Sequence, residues 1–304
     1  MTEFENILNE EYFPKEASRE SSPNPEGKSY GDLMKERRDQ CFSMIQSACK
    51  EITSDEKHLK LFLDVLSRFE RYSLNNNILI YAQKPDAVKL KDHYKVMSEK
   101  QVIRKGAKPI SILEPEKISG TNGEWTRYNA VAKYDVSDLE NEPPEINTAY
   151  DPRMKIRALL HKSPVAIKTL PSWEYPQNHP EGAYYDVQNH CVVAKADMSY
   201  DEIFLSVAEA LAHVEIKRSM DDVYNPGQHA LEAKCAAYAL ARRYDVSTDT
   251  IKLFNVTKQY RNLNEEEIKD ALAKIHKSVK AINYRMTQKL QPSKEQKREE
   301  GDAR

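Results

Sequence analysis

Between Asp135 and Asp151 the chain carries six acidic residues, no lysine or arginine, and two adjacent prolines, Pro143 and Pro144. A single-sign stretch with paired prolines resists both helix and ladder and does not thread a core. It divides the 304 residues into two bodies. The sequence therefore predicts a tail over 1–30, a domain over 31–140, an acidic linker over 141–152, a second domain over 153–288 and a tail over 289–304. The tails follow from composition. SRESSPNPEGKS and QPSKEQKREEGDAR are polar and show no apolar period, so both read as disordered.

Apolar spacing supplies the elements. Leu33, Met34, Cys41, Met44, Ile45 and Ala48 recur at helical spacing from near Tyr30, and Leu59, Phe62, Leu63, Leu66 and Phe69 line one face of a second helix. Asn75 reads as the cap of a third, which Pro85 ends. Residues 87–97 read as a short helix, 102–113 as strands about the KGAKP turn, and 124–134 as a further strand. The second half predicts a helix over Met154–Leu160 and a strand around Val165–Ile167. A hairpin of AYYDV and HCVVAK turns at Gln188–Asn189. Helices follow at about 201–218, 227–244 and 265–288. The fold class is α+β.

Charge and cysteine usage narrow the function. Lys plus Arg is 46 against 48 for Asp plus Glu, a net charge of −2, which excludes coating nucleic acid by bulk charge and leaves a local basic patch open. The four cysteines (Cys41, Cys49, Cys191 and Cys235) are far apart, without a CxxC, and read as reduced thiols of a cytoplasmic protein. MTEFENILNEEYFP is acidic and lacks the form of a signal peptide, and no apolar run suits a membrane. No GxGxxG, GxxxxGK[ST] or GxSxG occurs.

A basic run stands out in the first half. From Lys89 to Lys108 there are seven cations (Lys89, Lys91, Lys95, Lys100, Arg104, Lys105 and Lys108) against Asp92 and Glu99. Tyr72, Tyr81 and Tyr94 flank or interleave it, and Trp125 and Tyr128 follow. Cations for phosphates and planar rings for unstacked bases are the mixture that single-stranded nucleic acid requires. Asn76, in a run of three asparagines, offers an amide to a backbone or a base. A solvated helix face backed by core tyrosines has the same composition. The candidate DNA-binding set is Tyr72, Asn76, Tyr81, Lys89, Tyr94, Arg104, Lys105 and Lys108.

The run RYSLNNNILIYAQKPDAVKLKDHYKVMSEKQVIRKGAKPISILEP resembles the N-terminal domain of the ArdC-type antirestriction family. The matching residues are Ser73, Asn76, Leu79, Ile80, Gln83, Pro85, Ala87, Lys105, Gly106 and Lys108, with Ile103 and Arg104 as conservative replacements. The family's usual tryptophan is Tyr94 here, and its Gly-Arg is Lys100–Gln101. The likeness spans roughly 35–145. It implies a single-stranded DNA-binding domain of conjugative plasmids and transposons.

The resemblance extends to a zincin-type metallopeptidase domain. Where that family has H-E-L-A-H, this chain reads Glu209-Ala210-Leu211-Ala212-His213. Positions i and i+4 share a helix face, so Glu209 and His213 can still bite one ion, with Glu232 from the next helix as third ligand. Alanine at 210 removes the base that takes a proton from metal-bound water. An ordinary amphipathic helix with a hydrogen-bonded His213 has the same pattern. No cofactor is certain from the sequence, and zinc is the candidate. The reading is a single-stranded DNA-binding protein of a mobile genetic element, acting in antirestriction, whose metallopeptidase-like domain is catalytically inactive and offers a surface to a protein partner. The alternatives are an active zinc peptidase with a variant motif, and a pure interaction scaffold.

Overall fold

A computed structural model of the chain describes residues 29–120, 123–140, 150–220 and 223–290. The expected tails and most of the acidic linker lie outside these residues. The described chain is a mixed α+β structure that divides into two compact units, residues 29–48 with 78–140 and residues 49–77 with 150–290. Helices α1 (Tyr30–Ile52) and α3 (Leu74–Gln83) each run from one unit into the other. No helix among the described residues is long and apolar enough to cross a membrane.

The first unit is built on an antiparallel sheet of order β1-β3-β2, with β1 at Leu90–Asp92, β2 at Ile110–Gly120 and β3 at Gly123–Asp135. β2 and β3 pair from Ile110↔Lys133 out to Gly120↔Gly123. Leu90–Asp92 pairs with Lys133–Asp135, so the stretch expected to be one helix over 87–97 is a strand followed by α4 (His93–Ser98). α4 ends in a Schellman motif. The Gln101 N–H donates to the Val96 carbonyl and the Lys100 N–H to the Met97 carbonyl, with Lys100 left-handed at φ 55°.

α3 is capped by Ser73, two residues before the expected Asn75. The Ser73 hydroxyl accepts the Asn76 N–H at 3.3 Å, which leaves Asn75 inside the first turn. At the other end Gln83 pairs with the edge strand as a backbone would. Its Nε2 donates to the Ser111 carbonyl and its Oε1 accepts the Ser111 N–H, both at 2.9 Å. The matched glutamine of the sequence pattern thus ties a helix end to a strand that, among the described residues, is at the edge of its sheet.

In the second unit, β4 (Ala166–Leu170), β5 (Ala183–Asp186) and β6 (Cys191–Lys195) form a sheet of order β4-β6-β5, with β5–β6 antiparallel and β4–β6 parallel. Helices α5 (Pro152–Leu159), α6 (Tyr200–Arg218), α7 (Ala230–Arg243), α8 (Val256–Tyr260) and α9 (Glu265–Leu290) complete it. α6 starts from a capping box of Ser199 and Glu202. α6 packs on α7 and on β5. The small residues Ala208, Ala210 and Ala212 of α6, with Ala233, Ala236 and Ala237 of α7, are buried, which suits close approach of two helix backbones.

Helix α2 (Glu56–Phe69) buries the expected face, Leu59, Phe62, Leu63, Leu66 and Phe69. That face packs on α7, which puts residues 49–77 in the second unit, not in the domain over 31–140. A buried polar network fixes the junction. The Glu70 carboxylate accepts from Arg243 Nη1 at 2.6 Å and from Asn283 Nδ2 at 3.1 Å, while Arg243 also reaches the Ser67 carbonyl and Asn283 Oδ1. All four cysteines are free thiols, and the structure buries all of them.

Candidate functional site

The eight DNA-binding candidates separate by burial. Tyr72 lies in the second unit, half-buried, edge-on to Phe69 at 5.7 Å, with its carbonyl hydrogen-bonded to His276 Nε2 at 3.0 Å. Asn76 is buried on α3, and Tyr81, 4% exposed, is a core residue. A ring packed in this way presents no face to a base. Lys89, Tyr94, Arg104, Lys105 and Lys108 are exposed on the first unit, Tyr94 to 83%.

Backbone geometry sets the exposed five in place. Asp135, fully buried, accepts the N–H groups of Val88 at 2.8 Å and Lys89 at 2.9 Å. Burial alone raises its carboxyl, but the Ser137 hydroxyl, these two N–H groups and Lys84 outweigh that and hold it below the usual carboxylate range. Arg104 to Ala107 form a turn in which the Ala107 N–H donates to the Arg104 carbonyl at 3.1 Å, with Gly106 at φ 86°. A positive φ at the third residue marks a type II turn and explains the glycine. The Arg104 N–H donates to the Asp138 carbonyl and the Glu140 N–H to the Val102 carbonyl, so the turn is anchored at its base.

Lys91 does not belong to the exposed set. It is buried, and its Nζ donates to Glu99 at 2.8 Å and Gln101 at 2.9 Å. Lys133 is likewise buried, held by Asp92 and Glu114. Both ammonium groups are buried against carboxylates of exposed residues, so neither cation faces a strand in solution. Two aromatics outside the candidate set are exposed on the hairpin, Trp125 opposite Ile118 and Tyr128 opposite Pro115. Strand alternation puts them on opposite faces, a signal readable only once the register is known.

In the second unit Glu209 and His213 share the inner side of α6, and Ala210 between them is buried. Burial pushes the Glu209 carboxyl up to about 7, with the Lys234 ammonium pulling it down and Glu181 adding to the rise. Lys234 Nζ is 4.0 Å from Glu209 Oε1. His213 Nδ1 is hydrogen-bonded to the Tyr224 hydroxyl at 2.5 Å. Burial, His229 and Lys234 together push this imidazole down to about 4, so it is neutral. The Tyr224 ring stacks on His229 with centroids 5.5 Å apart. Glu232, on α7, faces Gln259, whose Nε2 lies 3.4 Å from both carboxylate oxygens.

The three proposed ligands are therefore each engaged with a different neighbour: Glu209 with an ammonium, His213 with a phenol, Glu232 with an amide. Among the described residues no group of three or more His, Cys, Asp or Glu side chains is arranged to hold a metal ion. This donor set does not suit zinc, whose ligands converge within about 2.0–2.3 Å of the ion.

No protein-family model and no curated protein sequence matches the chain. Among solved structures it resembles the Mn(II)-bound antirestriction ArdC protein from plasmid R388, with a TM-score of 0.54 at 14% identity, covering 80% of this chain and 98% of that one. The metal-free form of the same protein gives a TM-score of 0.49 at 15% identity, over 71% and 86% of the two chains. The resemblance read from residues 35–145 and the likeness of the Mn(II)-bound structure agree: this chain has the fold of the ArdC antirestriction protein.

Proposed function

We propose that the first unit binds single-stranded DNA and that the protein serves antirestriction in a mobile genetic element. The observation that carries this reading is Tyr94, 83% exposed on the unit that also exposes Lys89, Arg104, Lys105 and Lys108. An aromatic ring of that size kept in water has a free face for a base, and the cations beside it in sequence suit a phosphate backbone. The biological setting is carried over from the structural neighbour, which is named as an antirestriction protein of a plasmid.

The second unit acts in this reading as a scaffold without peptidase chemistry. Peptide hydrolysis by a metal-bound water needs a base beside the metal, and residue 210 is a buried alanine. The test is anisotropy of a labelled mixed-sequence oligonucleotide titrated with the full chain, as a single strand and as duplex, over a range of salt. Preference for the single strand with a steep salt dependence is expected. Equal affinity for duplex, or binding indifferent to salt, overturns the reading.

A further inference from the structure

We infer that the ammonium of Lys234 occupies the cationic role at the α6–α7 helix pair, and that the second unit holds no divalent ion there. The structural neighbour was solved with Mn(II), so a metal is the natural expectation for this fold. The side chains of this chain answer differently. This inference concerns the second unit alone and is independent of DNA binding by the first.

Charge balance is the first argument. A carboxylate taken into a protein interior requires a positive partner or a proton. Lys234 brings its Nζ from α7 to within 4.0 Å of Glu209. One ammonium balances one carboxylate. A divalent ion at the same carboxylate would face that ammonium at a few ångströms, and the like charges would repel.

Ligand availability is the second. His213 directs Nδ1 to Tyr224, whose ring is in turn stacked on His229. Glu232 points to Gln259 and has no part in the Glu209–Lys234 contact. Gathering the three around one ion would break the Tyr224 and Gln259 contacts and expel Lys234. The orphaned Nδ1 of His229 is the one feature that favours an additional polar ligand. Its ring is stacked on Tyr224, and among the described residues it is not part of a group of three or more His, Cys, Asp or Glu side chains arranged to hold a metal.

The test has two arms on the full chain. In the first, metal-stripped protein is titrated with Mn(II) and with Zn(II), following the electron paramagnetic resonance signal of free Mn(II) and the melting temperature with each ion. Wild type is expected to leave the Mn(II) signal undiminished and to melt identically with ion or chelator. One bound ion per chain, or a melting temperature raised by either metal, overturns the inference. The second arm compares Lys234→Met, Glu209→Gln and the double variant, with Lys234→Arg as the charge-keeping control. The double variant is expected to lose less stability than the sum of the two single losses, and the arginine variant to melt close to wild type. Additive losses, or an arginine variant as damaged as the methionine one, show that Lys234 is not the partner of Glu209. If the single variants fail to fold, the wild-type titration still decides.

Discussion

Removing Arg243 is the sharpest probe of how residues 49–77 are held in the second unit. Glu70 is 3% exposed and carries two strong partners, Arg243 Nη1 at 2.6 Å and Asn283 Nδ2 at 3.1 Å. Arg243→Met keeps much of the stem and deletes the charge, leaving Glu70 buried without its cation. Breaking a buried pair from one side costs about 3–5 kcal/mol. The cost is bounded by protonation, because an acid that cannot afford its charge takes a proton. Burial already raises the Glu70 carboxyl above its ordinary 4.5 despite the pull of Arg243. The sign follows from that direction. A carboxyl raised in the folded state binds protons more tightly there, so stability falls as pH rises from the unfolded value through the folded one. Without Arg243 the folded value climbs further, and the loss continues to higher pH. The variant should therefore be about 3 kcal/mol less stable than wild type at pH 7, with a clearly smaller deficit near pH 5. Urea unfolding followed by circular dichroism at the two pH values measures it. Adding Glu70→Gln to the variant should recover much of the pH 7 loss. A deficit equal at both pH values, or no deficit, refutes the argument.

Further outcomes follow at four single residues. Lys100→Gly should raise stability by about 0.5–1 kcal/mol in thermal denaturation, because Lys100 occupies the left-handed position that closes the Schellman motif after α4. Gln83→Leu removes both hydrogen bonds to the Ser111 backbone and should cost about 2–3 kcal/mol by the same assay, with Gln83→Glu retaining only the acceptor half. Tyr94→Ala should weaken single-strand binding by about 1–3 kcal/mol with the salt slope unchanged, since a stacking contact releases no counterions. Tyr81→Ala, by contrast, should act on stability through loss of a buried ring, about 3–5 kcal/mol.

Periodicity made most of the helices legible. The face of α2 was written in Leu59, Phe62, Leu63, Leu66 and Phe69, and the packed face is the same one. What periodicity could not carry was the partner of that face. α7 lies more than 150 residues away in sequence, so the grouping of 49–77 with the second unit is a long-range fact. Local ends failed in a related way. Ser73 and Asn75 both cap helices well, and only the realised hydrogen bond separates them. The short strand Leu90–Asp92 has no strand signature of its own and exists because β3 pairs with it.

The candidate sites were legible to the same depth. Gly106 and the basic residues around it were found where a turn requires them. Lys91 was counted in the basic run by its charge alone, and its hydrogen bonds to Glu99 and Gln101 inside the fold carry no local sequence signal. Tyr81 and Tyr94 are alike in the sequence and opposite in the fold, one in the core and one in water. At the second site the i, i+4 spacing of Glu209 and His213 correctly put both on the inner side of α6. The partners that decide their chemistry, Lys234 and Tyr224, come from outside that helix and carry no local signal.

The central claim is that the anchored turn of the first unit contacts a phosphate backbone. Its most direct test is the salt dependence of single-strand binding by the full chain, beside a variant carrying Arg104→Ala, Lys105→Ala and Lys108→Ala. Each phosphate contact to a single strand contributes about 0.7 to the slope of log K against log salt, so three lost contacts should flatten it by about 2. A variant that folds as wild type yet keeps the full slope and affinity would contradict the claim.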